Sequence, residues 1–131
     1  MPCPVVLGLS LCDYVIVEER TRKVSLIGSF SGIAASRFPA VAQPFSVFAV
    51  LTDGLGDATI QLSILRLETD EEIFVYRAQL RFPNKLTEVS FHARLRECRF
   101  PGPGQYLFTL LVDGEWVSQR RIQVYLKGEH P

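Results

Sequence analysis

The sequence predicts an all-β fold, a two-sheet antiparallel β-sandwich of about 8 strands, with a closed β-barrel as the alternative. Three observations predict it. Successive segments alternate apolar and polar side chains with a period of two, which is typical of strands. Turn residues recur about every ten positions, and no segment has the spacing of an amphipathic helix.

The clearest pattern is FPGPGQYLFTLLVDGEWVSQRRIQVYL at residues 100–126. Its Pro and Gly residues at 101–104 predict a corner, because they exclude both a helix and a continuous ladder. Residues 106–112 are almost all apolar and indicate a central strand. Asp113-Gly114 predicts a tight hairpin turn, and the returning strand at 115–126 is predicted to place Trp116 on one face with Ile122 and Val124.

The motif Gly104-x-Tyr106 at the start of this central strand resembles the tyrosine corner of immunoglobulin-like sandwiches. In that motif the phenol hydroxyl hydrogen-bonds to backbone just upstream. The alternative is a core aromatic residue that simply follows a Gly/Pro turn. The motif therefore indicates that the predicted sandwich is immunoglobulin-like.

The first half of the chain contains two predicted strands and a connection. Residues 11–18 form a strand that ends at the charged run EERTRK, and KVSLIGSFSGI at 23–33 alternates as one half-buried strand with a bulge at Gly28. Prolines in residues 34–44 limit that segment to a crossing connection.

The second half is predicted to contain four further strands before the corner. Residues 45–52 and 59–68 flank the turn DGLGD and are predicted to pair as a hairpin. The other two strands are 73–82 and 87–95, each with one apolar and one polar face.

Length and composition predict one domain over residues 1–131, with its core at 11–126. Hydrophobic residues make up 47% of the chain and charged residues 21%, which excludes disorder and leaves apolar surface for a partner. Basic and acidic side chains number 14 each, so no net field favours binding to nucleic acid or to an acidic membrane.

Cysteine usage and the N-terminus predict a cytoplasmic protein. The three cysteines Cys3, Cys12 and Cys98 indicate reduced thiols, because they form neither a complete disulfide framework nor a zinc site. The apolar N-terminal run lacks a basic leading region and a small-residue cleavage site, so we expect no export signal. No apolar run reaches the roughly 20 residues of a membrane span.

Residues with catalytic or metal-binding chemistry are few. His92 lies on a polar strand face with Ser90, Arg94 and Glu88, which is typical of a solvated strand rather than of a hydrolytic site. We therefore expect no enzyme activity and no cofactor.

The turn residues Asp53 and Asp57, with Asp113, offer oxygen ligands for calcium only if their loops meet. Their spacing lacks the pattern of a helical calcium loop, and Asp is an ordinary turn residue. The structural interpretation is favoured, and no metal is predicted.

Arginines and the single tryptophan are the candidate interaction residues. Arg77 and Arg81 share one strand face, and Arg94 lies on the next strand, so neighbouring strands would place them in a stripe. A solvated face with cross-strand ion pairs is the favoured interpretation. Trp116 is either an exposed anchor or a cap on the core.

Four segments carry a family resemblance: Cys12-Asp13, KVSLIGSF at 23–30, Phe38-Pro39, and Gly104-x-Tyr106-x-Phe108-x-Leu110-x-Val112-Asp113-Gly114. Together they resemble a family of small, uncharacterised bacterial proteins of about this length. The matching residues are turn and core positions, so the resemblance implies no catalytic or ligand-binding residues.

The predicted function is a non-enzymatic protein-interaction or structural module that acts through a sheet face or an unpaired edge strand, with self-association included. A protein partner or a homo-oligomer is expected. The alternative is a small-ligand or carbohydrate-binding module that uses the loops around Asp53, Pro83 and Trp116.

Overall fold

The computed structural model describes residues 3–129 and confirms an all-β fold of the sandwich or barrel-like type, with 68% of residues in strands. Within that range the strands, in chain order, are β1 (Val5–Val17), β2 (Val24–Ser29), β3 (Gly32–Ala35), β4 (Ala40–Val41), β5 (Phe45–Thr52), β6 (Gly56–Arg66), β7 (Glu71–Phe82), β8 (Val89–Leu95), β9 (Arg99–Phe100), β10 (Gly104–Val112) and β11 (Glu115–Leu126).

The strands form a four-stranded sheet in the order β2-β1-β5-β8, a five-stranded sheet in the order β3-β11-β10-β6-β7, and the small pair β4-β9. All ladders are antiparallel except the edge pair of β3 with β11, which is parallel. The sequence reasoning missed this parallel pair and the three short strands β3, β4 and β9, because segments of two to four residues show no usable alternation.

The core lies between the facing sides of the two large sheets. The period-two alternation places every second side chain of each strand there. Phe45 of β5 contacts Phe108 of β10 across it, with ring centroids 6.2 Å apart. The fully buried side chains include Leu11, Val47, Ala49 and Leu51 from one sheet and Ile60, Leu62, Ile64, Phe108 and Leu110 from the other.

The predicted hydrogen bond of the tyrosine corner is present. Tyr106 is fully buried, and its hydroxyl donates to the Gly102 carbonyl oxygen at 2.6 Å. The Phe100 ring lies edge-on to the Tyr106 ring, with a centroid separation of 4.9 Å. The corner segment is therefore tied to the strand it enters, while the broader immunoglobulin-like likeness stays a prediction.

The single strand predicted at 23–33 is wrong, because the chain changes sheets in its middle. Phe30 donates its N–H to Leu11 O of the four-stranded sheet (3.0 Å), whereas Ser31 O accepts from Gln123 N of the five-stranded sheet (3.3 Å). Phe30 also packs edge-on against Phe45 at 5.6 Å. The half-buried pattern predicted for this segment is wrong for β2, whose six residues are all exposed.

The hairpin predicted between 45–52 and 59–68 is also wrong. β5 pairs with β1 and β8, whereas β6 pairs with β10 and β7, so the DGLGD turn carries the chain from one sheet to the other. Gly54 packs so closely on the Phe82 ring that an added Cβ would lie 2.5 Å from it. This close approach lets the turn cross the end of the sandwich.

The Asp113-Gly114 hairpin has the predicted positive φ angles, 49° and 83°. A register shift follows, since Leu110 pairs with Ser118 but Leu111 pairs with Trp116. This bulge moves Trp116 to the outer face, where it is 60% exposed. Trp116 does not share a face with Ile122 and Val124 as predicted, and it does not cap the core.

The hydroxyl of Tyr106 contributes to stability because its loss leaves the buried Gly102 carbonyl without this donor. We expect Tyr106→Phe to lower the free energy of unfolding by about 1–3 kcal/mol, measured by urea denaturation. Tyr125→Phe is the control, since no hydrogen bond from its hydroxyl occurs within residues 3–129. Equal small effects of the two substitutions would contradict a role for the corner.

Candidate functional site

β1 is longer than the strand beside it, and this creates a projecting arm. β1 has 13 residues and β5 has 8, and their ladder ends where Cys12 pairs with Ser46. Beyond that point β1 pairs only with β2, from Tyr14 with Ile27 to Val17 with Val24. We call residues 13–27 the arm.

The tip of the arm is a hydrogen-bonded turn. Glu18 donates its N–H to Lys23 O and accepts from Arg22 N, both at 2.9 Å, and Arg22 has a φ of 60°. The Glu18 carboxylate also accepts the Thr21 N–H, which holds its pKa below the ordinary value. The charged run that was predicted to end the strand is therefore an ordered turn.

Both faces of the arm are apolar and exposed. The register places Tyr14, Ile16 and Ile27 on one face, and it places Val17, Val24 and Leu26 on the other. These six side chains are between 37% and 58% exposed. A two-stranded ribbon covers neither of its faces, so the alternation that buries side chains elsewhere in the protein exposes them here.

The outer edge of β2 presents free backbone groups. Glu18 donates its N–H to Lys23 O across the ribbon. Because bonded and non-bonded positions alternate along an antiparallel ladder, Val24 and Leu26 direct their N–H and C=O groups away from β1. Among the strands at 3–129, β1 alone pairs with β2. Residues 24–29 contain no Pro and no charge, the features that usually block an edge.

The root of the arm is fastened to β8 by Arg94. Its guanidinium donates to the Asp13 carbonyl oxygen and, at 3.1 Å, to Ser46 Oγ. It also lies 5.0 Å from the centroid of the Tyr14 ring, a cation–π contact. Of the candidate interaction residues, Arg94 is the one that contacts the arm.

His92 lies with Arg94 on the outer face of the four-stranded sheet. It contacts Ser46, with 2.9 Å between His92 Nε2 and Ser46 Oγ. The predicted neighbours Ser90 and Glu88 make no such contact with it. Desolvation, followed by the Arg94 charge, lowers the pKa of His92. Sequence reasoning missed Ser46, because it is 46 residues away and only strand pairing reveals the contact.

Two of the three thiols are buried. Cys12 and Cys98 lie inside the protein and Cys3 is exposed, and all three are free. Burial raises the pKa of the Cys12 thiol, with the Asp13 charge adding to it, and raises the pKa of Cys98 to about 12. The buried thiols are thus protonated at neutral pH and are poor nucleophiles.

The remaining candidate interaction residues lie on the outer face of the other sheet. Arg77 donates to Gln61 Oε1 at 2.9 Å, and Arg81 forms an ion pair with Asp57 at 2.8 Å. Trp116 lies on this face beside Gln61 and donates its indole N–H to Ser118 O at 3.1 Å. The arginine stripe, the less favoured alternative, is not formed, because β7 and β8 belong to different sheets.

The turn aspartates have separate partners. Asp57 pairs with Arg81, and Asp113 Oδ1 accepts the Thr59 N–H at 2.9 Å. Within residues 3–129, no three acidic, cysteine or histidine side chains come together in a way that would hold a metal ion. The same range contains no helix long and apolar enough to cross a bilayer.

An open cleft of about 760 Å³ lies at the end of the sandwich next to the root of the arm. Its walls come mainly from residues 28–43, with Asp13, Phe45 and Phe100 at the sides. Arg37 and Lys127 also line it. The loops around Asp53, Pro83 and Trp116, which the alternative ligand-binding function would use, lie at the opposite end of the sandwich.

Comparison with protein-family models identifies the family of this chain. A family of unknown function, DUF6941, matches residues 8–125. The chain belongs to this family. The DUF6941 match spans the arm and both large sheets, in agreement with the resemblance to small uncharacterised proteins noted from the sequence.

No curated protein matches the chain. Among solved structures, the chain is similar to the Pseudomonas fluorescens alkylpurine DNA glycosylase AlkC bound to DNA containing an abasic site analog, with a TM-score of 0.46 and 12% identity. The similarity covers 72% of this chain and only 27% of the AlkC chain. A likeness at this level assigns no activity to the DUF6941 protein.

The thiols should differ in reactivity. We expect Cys3 to react with a disulfide reagent such as DTNB in the native protein, and Cys12 and Cys98 to react only after denaturation, because the buried thiols are protonated and inaccessible. A Cys3→Ser variant should show no reactive thiol when folded. Rapid reaction of that folded variant would contradict the burial described above.

His92 should make stability depend on pH. Because its folded pKa is lower than its unfolded value of about 6.5, the unfolded state binds more protons, and stability is lost as pH falls from about 6.5. We expect the wild type to lose more stability than His92→Gln between about pH 7.5 and pH 5.5, measured by urea denaturation. Identical losses would mean that the His92 pKa is not lowered.

Proposed function

We propose that this protein is a non-enzymatic protein-interaction module and that the arm is its contact element. The observation that carries the proposal is the exposure of apolar side chains on both faces of a two-stranded ribbon. An isolated hairpin is at best marginally stable in water. Covering the arm with another protein therefore stabilises it by removing apolar area from water.

The free edge of β2 suggests how the contact is made. An incoming strand can pair with the outward N–H and C=O groups of Val24 and Leu26, which is β-augmentation. The side chains on either side of the edge then supply apolar contacts above and below the new ladder. Arg94 holds the root, so the arm is presented in one orientation.

The contacts of Ser46 with His92 and Arg94 on the outer face of the four-stranded sheet support the non-enzymatic part of the proposal. Ser46 is 1% exposed, and its hydroxyl oxygen already accepts a hydrogen bond from Arg94. A nucleophile must reach its substrate, and Ser46 does not. Neither buried thiol replaces it, because burial favours their neutral forms.

We also propose a bacterial cytoplasmic setting. The free thiols support it, since unpaired cysteines persist in reducing compartments. The bacterial part follows from the family resemblance of the sequence.

A second candidate function is small-ligand or carbohydrate binding, favoured by the cleft next to the root. Its volume lies within the roughly 300–1,000 Å³ of ligand pockets, and Arg37 and Lys127 suit an anionic ligand. Thermal-shift screening of sugars and anionic metabolites tests it. A stabilising compound should lose its effect in Arg37→Ala, and an unchanged shift would place the binding elsewhere.

The interaction function is testable by photo-cross-linking in cells. We expect a photoreactive phenylalanine at position 14, on the arm, to form adducts with protein. The control is position 86, since Leu86 is 91% exposed but lies in the loop between β7 and β8, far from the arm along the chain. Equal adducts at both positions, or none at position 14, would contradict the proposal.

A further inference from the structure

We propose that the partner of the arm is a second copy of this chain, and that the two β2 edges pair antiparallel about a two-fold axis to form one continuous eight-stranded sheet. This inference rests on the proposed function and names its partner. Three properties of the arm carry it: the pattern of free backbone groups, the position of the apolar side chains, and the charges at its two ends.

The free backbone groups are self-complementary. With the two-fold axis at Ser25, Val24 of one copy lies opposite Leu26 of the other, and these are the residues whose N–H and C=O groups point away from β1. Each copy therefore donates and accepts at both positions. An isologous contact of this kind closes after two copies, because it uses the β2 edge of both.

The apolar side chains meet in the same arrangement. Val24 and Leu26 of both copies form adjacent cross-strand pairs on one face, and Val15 and Val17 extend that face behind them. Of the six exposed apolar side chains of the arm, Val24, Leu26 and Ile27 belong to β2 and lie along the joined edge.

The charges at the two ends of the arm are complementary. Asp13 lies against Gly28, since an added Cβ on Gly28 would meet Asp13 Oδ2 at 2.2 Å. In the proposed register Arg22, in the turn that precedes β2, comes near Gly28 of the other copy and so near the Asp13 carboxylate. Two-fold symmetry makes this ion pair twice, which fixes the register at both ends.

Light scattering and sedimentation of the wild type test self-association, and we expect twice the mass of one chain. Leu26→Pro should weaken the dimer association at least tenfold, so that the variant is a monomer at a concentration where the wild type is a dimer. The Leu26 N–H points away from β1, so proline leaves the internal ladder bonded while it blocks the outer one. Circular dichroism checks that the variant folds, and Leu86→Lys is the matched surface control.

The register is tested by disulfide trapping and charge exchange. In a Cys3→Ser background, Ser25→Cys should form an intermolecular disulfide under mild oxidation at least tenfold faster than Ile27→Cys. The two position-25 Cα atoms would lie about 4.5 Å apart, which is within disulfide range. Arg22→Glu and Asp13→Lys should each weaken the dimer, and the double variant should restore it.

A monomeric wild type overturns the self-pairing. If its position 14 still cross-links to a different protein, the proposed function stands without it. If position 14 cross-links to nothing, both are overturned. A dimer that persists in folded Leu26→Pro, or equal trapping at positions 25 and 27, also overturns the self-pairing.

Discussion

The core of this protein ends before β1 does, and the exposed surface follows from that mismatch. Leu11 and Cys12 are the buried side chains of β1, and β5 still lies beside the strand at these residues. β1 continues to Val17 with the same apolar composition but without a neighbour on that side or a facing sheet. Burial in a sandwich needs both, so the same apolar composition yields core at Leu11 and Cys12 and exposed surface beyond them.

The rest of the molecule holds this exposed element in place without depending on it. The contact of Phe45 with Phe108 joins the two large sheets, and the tyrosine corner at Tyr106 ties the preceding segment to β10, both well away from the tip of the arm. Arg94 then bridges the sheet and the root. A substitution near the tip therefore changes the surface of the protein more than it changes the core. The tip residues 18–23 take no part in the contacts of Tyr106, Phe45, Phe108 or Arg94 described above.

Sequence patterns predicted the large strands and the tyrosine corner because these depend on local residues. Alternation located β5, β7, β8, β10 and β11 to within a few residues, and the Asp113-Gly114 pair identified its hairpin. The sheet change at Phe30 and Ser31, and the crossing at Gly54, depend on which strands become neighbours, and alternation carries no such information. The contact of His92 with Ser46 was missed for the same reason.

The arm was the feature least accessible to sequence reasoning, because alternation identifies a strand but not what covers it. Val24 and Leu26 have the composition of buried residues, and a single chain offers nothing to bury them within residues 3–129. Ordering a ribbon of this kind has a conformational entropy cost of about 1–2 kcal/mol per residue, and two strands alone recover little of it. Formation of the arm and occupation of its faces are therefore thermodynamically linked: whatever covers Val24 and Leu26 also stabilises the ordered ribbon.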